Sequence, residues 1–347
     1  MDFSSTLIKW YAINKRELPW RNTKNPYFIW ISEIILQQTR VIQGEPYYLK
    51  FIETFPTIDK LAYSDEKEIL RLWQGLGYYS RARNMHFAAK FIVENYSARF
   101  PNEYDKILNL KGVGTYTAAA ISSFAFGLPH AVLDGNVFRV LSRVYGIDIP
   151  IDTTLGKKKF SALAQSLLDK KRPALNNQAI MEFGATQCTH KLPKCDSCPF
   201  TVDCIAYNTN SIHNLPLKLK KVSVKKRYLN YFFLQNCNRI LLGRRDSGIW
   251  QGLYELPHIE FTKNKSTESI INSKKWNDFF KNTNYKLISS SQLSIHKLSH
   301  QHIYARFWTL EIHEFKLKKY EFVNISKLID FPIPRLLDKF LKEINLI

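Results

Sequence analysis

The chain has 347 residues, of which 45% are apolar, so it is long enough for two domains and its composition excludes general disorder. Its 50 lysines and arginines exceed its 30 aspartates and glutamates, and the net charge of +20 favours a polyanionic partner such as nucleic acid. Because basic surfaces also occur in other proteins, charge alone leaves the partner open. No apolar run reaches the ~18 residues of a membrane span, and the first residues lack a secretory pattern, so we expect a cytoplasmic protein.

The first 180 residues show the periodicity of amphipathic helices that are joined by short loops. Asn25 and Pro26 supply an N-cap and a first-turn proline for a strongly apolar helix over residues 28–42. The other helices that the pattern predicts are residues 4–15, 47–55, 65–73, 81–96, an alanine-rich run after Gly114, 137–145, 161–168 and 178–183. We therefore expect a nearly all-helical N-terminal part.

Glu33 is placed by this pattern at the edge of the apolar face of the helix over residues 28–42. It lies one turn from Ile29 and from Gln37, so folding would remove water from its carboxyl group. Loss of water destabilises the charged form, and we expect the pKa of Glu33 to rise. The alternative is a solvated helix surface, which is the more frequent environment of a glutamate.

The loop over residues 75–83 combines two glycines, two tyrosines and two arginines. Such a loop suits contact with a duplex, because an aromatic ring can enter between bases while arginines neutralise phosphates. Tyrosines that pack in the core beside a turn explain the same residues equally well.

Gly112 and Gly114 flank one apolar residue between two predicted helices. A tight turn here leaves backbone N–H groups free at the start of the next helix, which is a phosphate-binding arrangement. Asp134 stands before the helix over residues 137–145, where a carboxylate caps a helix. A cap alone would contribute only about 1 kcal/mol to stability, and a catalytic carboxylate is the other interpretation.

Four of the five cysteines fall within seventeen residues, in the pattern Cys188-x6-Cys195-x2-Cys198-x5-Cys204. In a reducing compartment this spacing indicates metal ligation rather than disulfide bonds. Four thiolates suit an iron–sulphur cluster or, less well here, one zinc ion, and the spacing alone does not decide between them.

Residues 209–227 are expected to form a linker whose second half is rich in lysine without an acid. Beyond it the pattern changes from helical to alternating. Strands are expected at residues 228–235, 239–242, 254–256 and 303–311, and helices at 266–280 and 334–343. We therefore predict a helical domain over residues 1–208, a basic linker, and an α+β domain over residues 228–347.

In the order and spacing of its motifs the chain resembles the helix-hairpin-helix DNA glycosylases, specifically the MutY type, which removes adenine opposite 8-oxoguanine. The resemblance covers nearly the whole chain. Its motifs are Leu18-Pro19-Trp20-Arg21, Ser32-Glu33, Leu36-Gln37-Gln38-Thr39, residues 75–83, Gly112-Val113-Gly114, Leu133-Asp134-Gly135-Asn136-Val137 and the four cysteines.

The resemblance implies functional residues in three groups. The first is an adenine pocket that contains Glu33, Tyr116, Asp134 and Asn136, and the second is a [4Fe–4S] cluster on Cys188, Cys195, Cys198 and Cys204. The third is a set of substrate and DNA contacts, namely Arg21, Leu36, Gln38, Thr39, Tyr78, Lys111, Gly112, Gly114, Ser299 and His300. Lys111 replaces the proline that is usual before the first glycine of the hairpin, and it would add a phosphate contact.

Removal of a purine from deoxyribose requires a proton on the departing base and a negative charge beside the cationic sugar. Glu33, with apolar neighbours, would stay protonated near neutral pH and donate to adenine N7. Asp134, at a helix N-terminus, would stay ionised and stabilise the cation or act as a transient nucleophile. Glycosylases of this superfamily that cut the strand use a lysine at the position of Tyr116, so we expect little or no lyase activity.

The C-terminal part resembles the MutT-like (Nudix) fold at residues 240–245 and 248–257. It lacks the glutamate-rich helix that binds magnesium in hydrolases of that fold, so we expect no pyrophosphatase activity. In the MutY family this domain recognises 8-oxoguanine, and Leu298-Ser299-His300 matches the contacting stretch, with leucine where phenylalanine is common. A solvated loop is the alternative for Ser299 and His300.

We expect a monomeric enzyme that binds double-stranded DNA with adenine opposite 8-oxoguanine, associates with the nucleoid when on DNA, and makes no membrane contact. Two other functions fit parts of the pattern: a glycosylase for pyrimidine damage, and a cluster-bearing DNA-binding module without catalysis. The stretch Ser299-His300 disfavours the first, and the coexistence of Glu33 and Asp134 disfavours the second.

Overall fold

The computed structural model describes residues 2–219, 223–281, 283–315 and 317–346. They form two compact units, of which the first lies within Met1–Tyr63 and Asn84–Lys220 and the second within Ser64–Arg83 and Lys221–Ile347. Lys220 and Lys221, which belong to the predicted basic linker, lie outside the described residues. The domain division at residues 208 and 228 stays a prediction.

Helices build the first unit, and their N-termini carry the caps that the sequence offers. Asn25 accepts a hydrogen bond from the Tyr27 N–H at 2.9 Å, and Pro26 occupies the first turn, as predicted. The helices that precede the sheet are α1 (Phe3–Asn14), α2 (Pro26–Leu36), α3 (Val41–Thr54), α4 (Ile58–Tyr63), α5 (Glu66–Leu72), α6 (Ser80–Tyr96), α7 (Tyr104–Leu108), α8 (Thr115–Phe126), α9 (Gly135–Val144), α10 (Thr154–Ser166), α11 (Pro173–Thr186) and α12 (Ile205–Asn208). Of these, α5 and the first residues of α6 belong to the second unit.

The prediction of one helix over residues 28–42 is wrong at its C-terminal end. α2 stops at Leu36 and α3 starts at Val41, because Gln38 adopts a left-handed conformation with φ 56° that interrupts the helical hydrogen bonds. Gly44 permits the close approach of α3 to this turn, since a Cβ at that position would lie 2.9 Å from Leu36 Cδ2. The break exposes Gln38 and leaves Glu33 in the last turn of α2.

One apolar core in the first unit joins α1, α8, α9 and α11. Within it the Phe183 ring packs edge-on against Trp10 and against Phe200, with centroid distances of 4.9 and 5.2 Å. Phe200 belongs to the cysteine-rich loop, so the same core anchors that loop to α11. α2, which carries Glu33, packs against α3 and α8.

A mixed β-sheet forms the centre of the second unit. Its strands are β1 (Lys225–Asn236), β2 (Arg239–Arg244), β3 (Tyr254–Glu255), β4 (His258–Phe261), β5 (Tyr285–Ser290), β6 (Ser294–Lys297), β7 (Gln301–Ile312) and β8 (Tyr320–Asn324). The main path runs β3-β2-β1-β7-β5, in which β1 and β7 are parallel and the other neighbours antiparallel. The expected α+β fold is therefore confirmed, although β4, β5, β6 and β8 were not predicted.

The helices that follow β4 cover part of the sheet with an aromatic core. They are α13 (Thr267–Ile271), α14 (Lys274–Phe279) and α15 (Arg335–Glu343). The prediction of one helix over residues 266–280 is wrong, because Ser273 caps a new helix by accepting a hydrogen bond from the Trp276 N–H at 3.2 Å. Trp276 then packs edge-on against Trp308 of β7, with centroids 4.8 Å apart. Within the described residues, no helix combines the length and apolar character that crossing a bilayer requires.

Candidate active site

Glu33 is almost completely buried, with 5% of its surface exposed. Burial raises the pKa of its carboxyl group from 4.5 to about 7, and the charge of Asp134 raises it as well. A hydrogen bond with Tyr116 and the charge of Arg21 act in the opposite direction but do not cancel the effect of burial. The prediction of a raised pKa is confirmed, and a carboxyl group of this kind suits general-acid chemistry near neutral pH.

Asp134 is the N-cap of α9, as the sequence predicts. Its Oδ1 accepts hydrogen bonds from the Asn136 and Val137 N–H groups at 2.9 and 2.8 Å, and its Oδ2 accepts one from Asn136 Nδ2 at 2.8 Å. Burial has the largest effect and raises the pKa of Asp134 above its ordinary value, although these hydrogen bonds and the charge of Arg139 lower it in part. The N-cap position alone indicates only the lowering effect, because the burial of this side chain depends on distant elements.

Tyr116 lies in the first turn of α8 and interacts electrostatically with both carboxyl groups. Its single hydroxyl hydrogen can be donated either to Met181 Sδ, at 3.7 Å, or to the Glu33 carboxyl group. Burial, followed by the charges of Glu33 and Asp134, raises the pKa of Tyr116 well above its ordinary value. The phenol therefore stays neutral and can supply a hydrogen bond without adding charge.

Glu33, Tyr116, Asp134 and Asn136 line one cavity of about 170 Å³. Since a cavity of roughly 150 Å³ in another protein admits benzene, this volume is of the size of an aromatic base. The fold thus brings residues from α2, α8 and the N-terminus of α9 around one space. Two carboxyl groups in unlike surroundings are the pairing that acid-assisted cleavage of a glycosidic bond requires.

Three of the predicted substrate contacts, Arg21, Leu36 and Thr39, line the same cavity. Gln38 does not line it and is exposed at the turn between α2 and α3. A non-glycine residue held in the left-handed region costs free energy, and such residues concentrate at functional sites. The position of Gln38 suits contact with a large external ligand better than contact inside the pocket.

Sequence analysis missed four further polar or sulphur-containing side chains of the cavity. Arg16 follows α1, while Gln178, Met181 and Glu182 lie on α11. One of these residues could have been found from the sequence, since Glu182, like Glu33, is a glutamate within an apolar helical run. The partners of Glu182 could not be found in this way, because Arg16 and Arg21 approach it only in the folded chain.

The predicted hairpin turn is present, and its two glycines have different roles. Gly112 has φ +86°, and a Cβ there would lie 2.8 Å from Asn84 Cβ, so only glycine fits. Gly114 is the N-cap of α8 without a side-chain cap and has open space around it. The first N–H groups of α8 are therefore accessible to an anion. Lys111 is exposed beside the turn, with its Nζ 4.8 Å from the centre of the Phe87 ring.

The four cysteines of the predicted metal site line one small cavity. Arg143, which is 2% exposed, donates hydrogen bonds to Cys188 Sγ at 3.5 Å, to the Thr189 oxygen at 2.7 Å and to the His190 oxygen at 3.0 Å. Four thiols around one space, one of them facing a buried guanidinium, fit a four-thiolate cofactor. Over the ranges described above, no three His, Cys, Asp or Glu side chains are grouped as ligands of a single metal ion.

Arg139 connects the cysteine-rich loop to the candidate acid–base pair, and sequence analysis did not identify it. Its guanidinium group donates to the Cys188 oxygen at 2.8 Å, to the Gly184 oxygen at 2.5 Å and to Asn136 Oδ1 at 2.9 Å. Asn136 in turn donates to Asp134. The position of the Asp134 carboxylate thus depends on the backbone of the loop.

The second unit has its own cavity, of about 460 Å³, which contains the other predicted DNA contacts. Tyr78, Ser299 and His300 line it, and the Tyr78 and Ser299 hydroxyl groups are hydrogen-bonded to each other. Tyr78 is 41% exposed and has φ 47°, so it is a second non-glycine residue in the left-handed region. Residues that are 221 positions apart in the chain therefore share one exposed site.

Comparison with known proteins gives consistent results for both parts of the chain. Residues 31–165 match the HhH-GPD superfamily of base excision DNA repair proteins, and residues 230–343 match the NUDIX domain. The chain is 39% identical over 309 residues to the adenine DNA glycosylase of Buchnera aphidicola subsp. Baizongia pistaciae, which covers 87% of this chain and 84% of that protein. It is 34% identical over 358 residues to the adenine DNA glycosylase of Buchnera aphidicola subsp. Acyrthosiphon pisum, with coverage of 99% and 98%.

Among solved structures, a thermostable thymine-DNA glycosylase superposes with a TM-score of 0.56 at 30% sequence identity. The superposition covers 60% of this chain and 95% of the other. The helical part of the chain therefore has the fold of a known DNA glycosylase.

The raised pKa of Glu33 predicts a pH-dependent penalty on stability. Because the pKa is about 7 in the folded protein and 4.5 without the fold, the folded state retains a proton that the unfolded state has lost. The contribution of Glu33 to the free energy of unfolding is fully present below pH ~4.5, and about 3 kcal/mol of it is lost as the pH rises to about 7. Relative to the wild type, Glu33→Gln should therefore gain unfolding free energy across this interval, measured by denaturant unfolding at successive pH values.

The matched control is Glu94→Gln, which removes an exposed carboxyl group of α6. Its unfolding free energy should remain parallel to that of the wild type. If the difference between Glu33→Gln and the wild type is independent of pH, Glu33 does not have a raised pKa.

Proposed function

The chain belongs to the family of adenine DNA glycosylases and is a DNA glycosylase of base excision repair, and we propose that it removes adenine paired with 8-oxoguanine or guanine. The reaction is hydrolysis of the N-glycosidic bond, and the product is an abasic site. The observation that carries this proposal is the pair of unlike carboxyl groups, Glu33 and Asp134, on one cavity of the size of a base. The base must leave the helix to reach that cavity, as in other enzymes that act on bases.

Glu33 acts as the general acid in this proposal. Its pKa of about 7 leaves a large protonated fraction at neutral pH while keeping the proton acidic enough to transfer. The proton goes to N7 of adenine, which makes the base a better leaving group. The surrounding apolar side chains of α2 support this role because they favour the neutral carboxyl group.

Asp134 acts as the carboxylate beside the developing sugar cation. Its three hydrogen-bond donors and the N-terminus of α9 favour the ionised form against the effect of burial. Asn136 fixes the orientation of this carboxylate, and the neutral Tyr116 phenol completes the pocket. Asp134 stabilises the cation or bonds to it transiently before water attacks.

Strand cleavage is absent or weak in this proposal. A lyase requires an amine that forms a Schiff base with the sugar. Where strand-cutting enzymes of the superfamily carry this amine, in the first turn of α8, this chain has Tyr116, whose phenol cannot form a Schiff base. Lysines do not line the cavity among the described residues, which supports hydrolysis as the sole reaction.

Cys188, Cys195, Cys198 and Cys204 would hold a [4Fe–4S] cluster. The cluster would supply four iron–thiolate bonds that stabilise the loop over residues 188–204. This loop carries the backbone oxygen of Cys188 to which Arg139 donates. We assign the cluster a structural role that fixes the Asp134 side of the pocket.

Recognition of the opposite base is assigned to the second unit. Ser299 and His300 offer hydrogen-bonding groups at an exposed cavity, and the Tyr78 ring there is suited to enter a duplex. The hairpin N–H groups and Lys111 contact phosphates of the same double-stranded DNA. In this proposal the enzyme acts as a monomer in the cytoplasm, without a membrane contact.

Single-turnover base release tests the reaction. The wild type should release adenine from a duplex with adenine opposite 8-oxoguanine, and the strand should break only after treatment with alkali. Glu33→Gln should lower the rate at least about 100-fold, since it removes the proton donor, while duplex binding persists. Glu94→Gln should behave as the wild type.

Two outcomes would contradict this assignment. Comparable turnover by Glu33→Gln would exclude the acid role. Release of a damaged pyrimidine instead of adenine would show that the enzyme is a pyrimidine-damage glycosylase.

The cofactor proposal predicts a brown protein that absorbs at the blue end of the visible range and contains about four iron atoms per chain. Cys198→Ser should lose iron and colour because it removes one ligand. Cys237→Ser, which alters the exposed fifth cysteine, should retain both. A colourless protein with one zinc ion would contradict the cluster.

The recognition proposal predicts that Ser299→Ala lowers the preference for adenine opposite 8-oxoguanine over adenine opposite guanine. Loss of one hydrogen bond in a desolvated contact corresponds to roughly a tenfold change in the ratio of the two rates. Ser289→Ala, at an exposed serine of β5, is the control and should leave the ratio unchanged. An unchanged ratio in Ser299→Ala would exclude Ser299 as a recognition residue.

A further inference from the structure

Glu182 is a buried carboxylate that the reaction described above does not use. It lies on α11 with 1% of its surface exposed. Its Oε1 accepts a hydrogen bond from Arg16 Nε at 2.6 Å, and its Oε2 accepts bonds from Arg16 Nη2 at 2.8 Å and from Arg21 Nη2 at 2.7 Å. The Arg16 backbone N–H donates to Oε1 at 3.2 Å as well. Bidentate pairing of this kind fixes both the charge and the orientation of the guanidinium groups.

The same contacts hold the segment between α1 and α2 against α11. Arg21 Nη1 donates to the Arg16 oxygen at 2.8 Å, and the Arg21 guanidinium lies 5.5 Å from the centre of the Tyr11 ring. The Tyr11 hydroxyl donates to Gln178 of α11 at 3.0 Å. Arg21 is therefore fixed on several sides, and its side chain is only 12% exposed.

Arg16, Arg21 and Glu182 all line the cavity that contains Glu33. Two positive charges and one negative charge leave this group with a net charge of +1. The groups that act on Glu33 are Tyr116 from α8, Asp134 from the N-cap of α9, and Arg21 from the turn before α2. Arg21 lowers the pKa of Glu33, which opposes the effect of burial. Without the Glu182 charge, the positive charge near Glu33 would be larger and less screened.

We propose that Glu182 is a positioning residue of the base pocket, which holds Arg16 and Arg21 in place and offsets their charge so that Glu33 keeps its proton near neutral pH. Glu182 acts through the two arginines and does not contact the reacting atoms. This inference rests on the proposed function of Glu33 as the acid. The ion pair of Glu182 with the two arginines thus affects catalysis and not stability alone.

The test is the pH dependence of single-turnover adenine release by the full-length protein with its cofactor. Base release requires protonated Glu33, so the rate should fall as pH rises through its pKa. Glu182→Gln retains the shape of the side chain but removes its charge. It should move the midpoint of this fall to lower pH by about half a unit or more, which is about a threefold or larger loss of rate above both midpoints.

Charge compensation provides a readout that a purely structural role would not give. Arg16→Gln leaves the full charge of Glu182 to offset Arg21, the arginine that acts on Glu33, and should move the midpoint to higher pH. The double variant Arg16→Gln with Glu182→Gln restores the net charge of +1 and should return the midpoint part of the way from that of Glu182→Gln toward that of the wild type. Glu103→Gln is the control, because Glu103 forms an exposed ion pair with Lys106 and does not line the cavity; its midpoint should not move.

Removal of one partner of a buried ion pair is strongly destabilising, so folding of each variant is checked by circular dichroism. Arg16→Gln keeps the test decisive if Glu182→Gln does not fold, since the Arg16 side chain is 41% exposed. The proposal is overturned if Glu182→Gln lowers the rate equally at every pH, if Arg16→Gln leaves the midpoint unchanged, or if the double variant has the same midpoint as Glu182→Gln.

A second readout separates this proposal from the proposed function. The infrared band of the protonated Glu33 carboxyl group, assigned by its loss in Glu33→Gln, is titrated in the DNA-free protein for each variant. If the wild type releases no adenine, the proposed function fails, but the band still shows whether the charge of Glu182 controls the protonation of Glu33. Identical titration curves for the wild type and Glu182→Gln would overturn the inference by itself.

Discussion

The withdrawal of the Glu33 carboxyl group from water is the constraint on which the rest of the candidate active site depends. Burial on α2 favours the neutral acid, and the pKa of about 7 follows mainly from this burial. Asp134 is also buried, but it receives three hydrogen bonds at the N-terminus of a helix. The two carboxyl groups therefore differ because their elements differ, and the proposed reaction uses this difference, with Glu33 as the proton donor and Asp134 as the anion.

Two networks, one from α9 and one from α11, maintain this arrangement. Arg139 links Asn136, and through it Asp134, to the backbone of the cysteine-rich loop. Glu182 links Arg16 and Arg21 at the wall next to Glu33. Each network contains a buried or half-buried charge with several partners, so loss of one member would leave the others without compensation. In the proposed reaction the cysteine-rich loop and the ion pair would thus affect catalysis through position and charge.

Local sequence patterns predicted the features that depend on near neighbours. The N-cap at Asp134, the turn at Gly112 and the burial of Glu33 follow from spacing within a few residues. The end of α2 did not follow, because Gln38 adopts a left-handed conformation that the apolar run conceals. The partners of Glu182 did not follow either, since an ion pair between residues 16 and 182 is a property of tertiary packing.

Neutron diffraction from a deuterated crystal of the DNA-free protein at about pH 6 locates the carboxyl protons directly, at a pH below the Glu33 midpoint of about 7. The account predicts a deuteron on the Glu33 carboxyl group and a bare Asp134 carboxylate surrounded by its three donors. A bare Glu33, or a deuteron on Asp134 instead, would contradict the assignment of acid and anion.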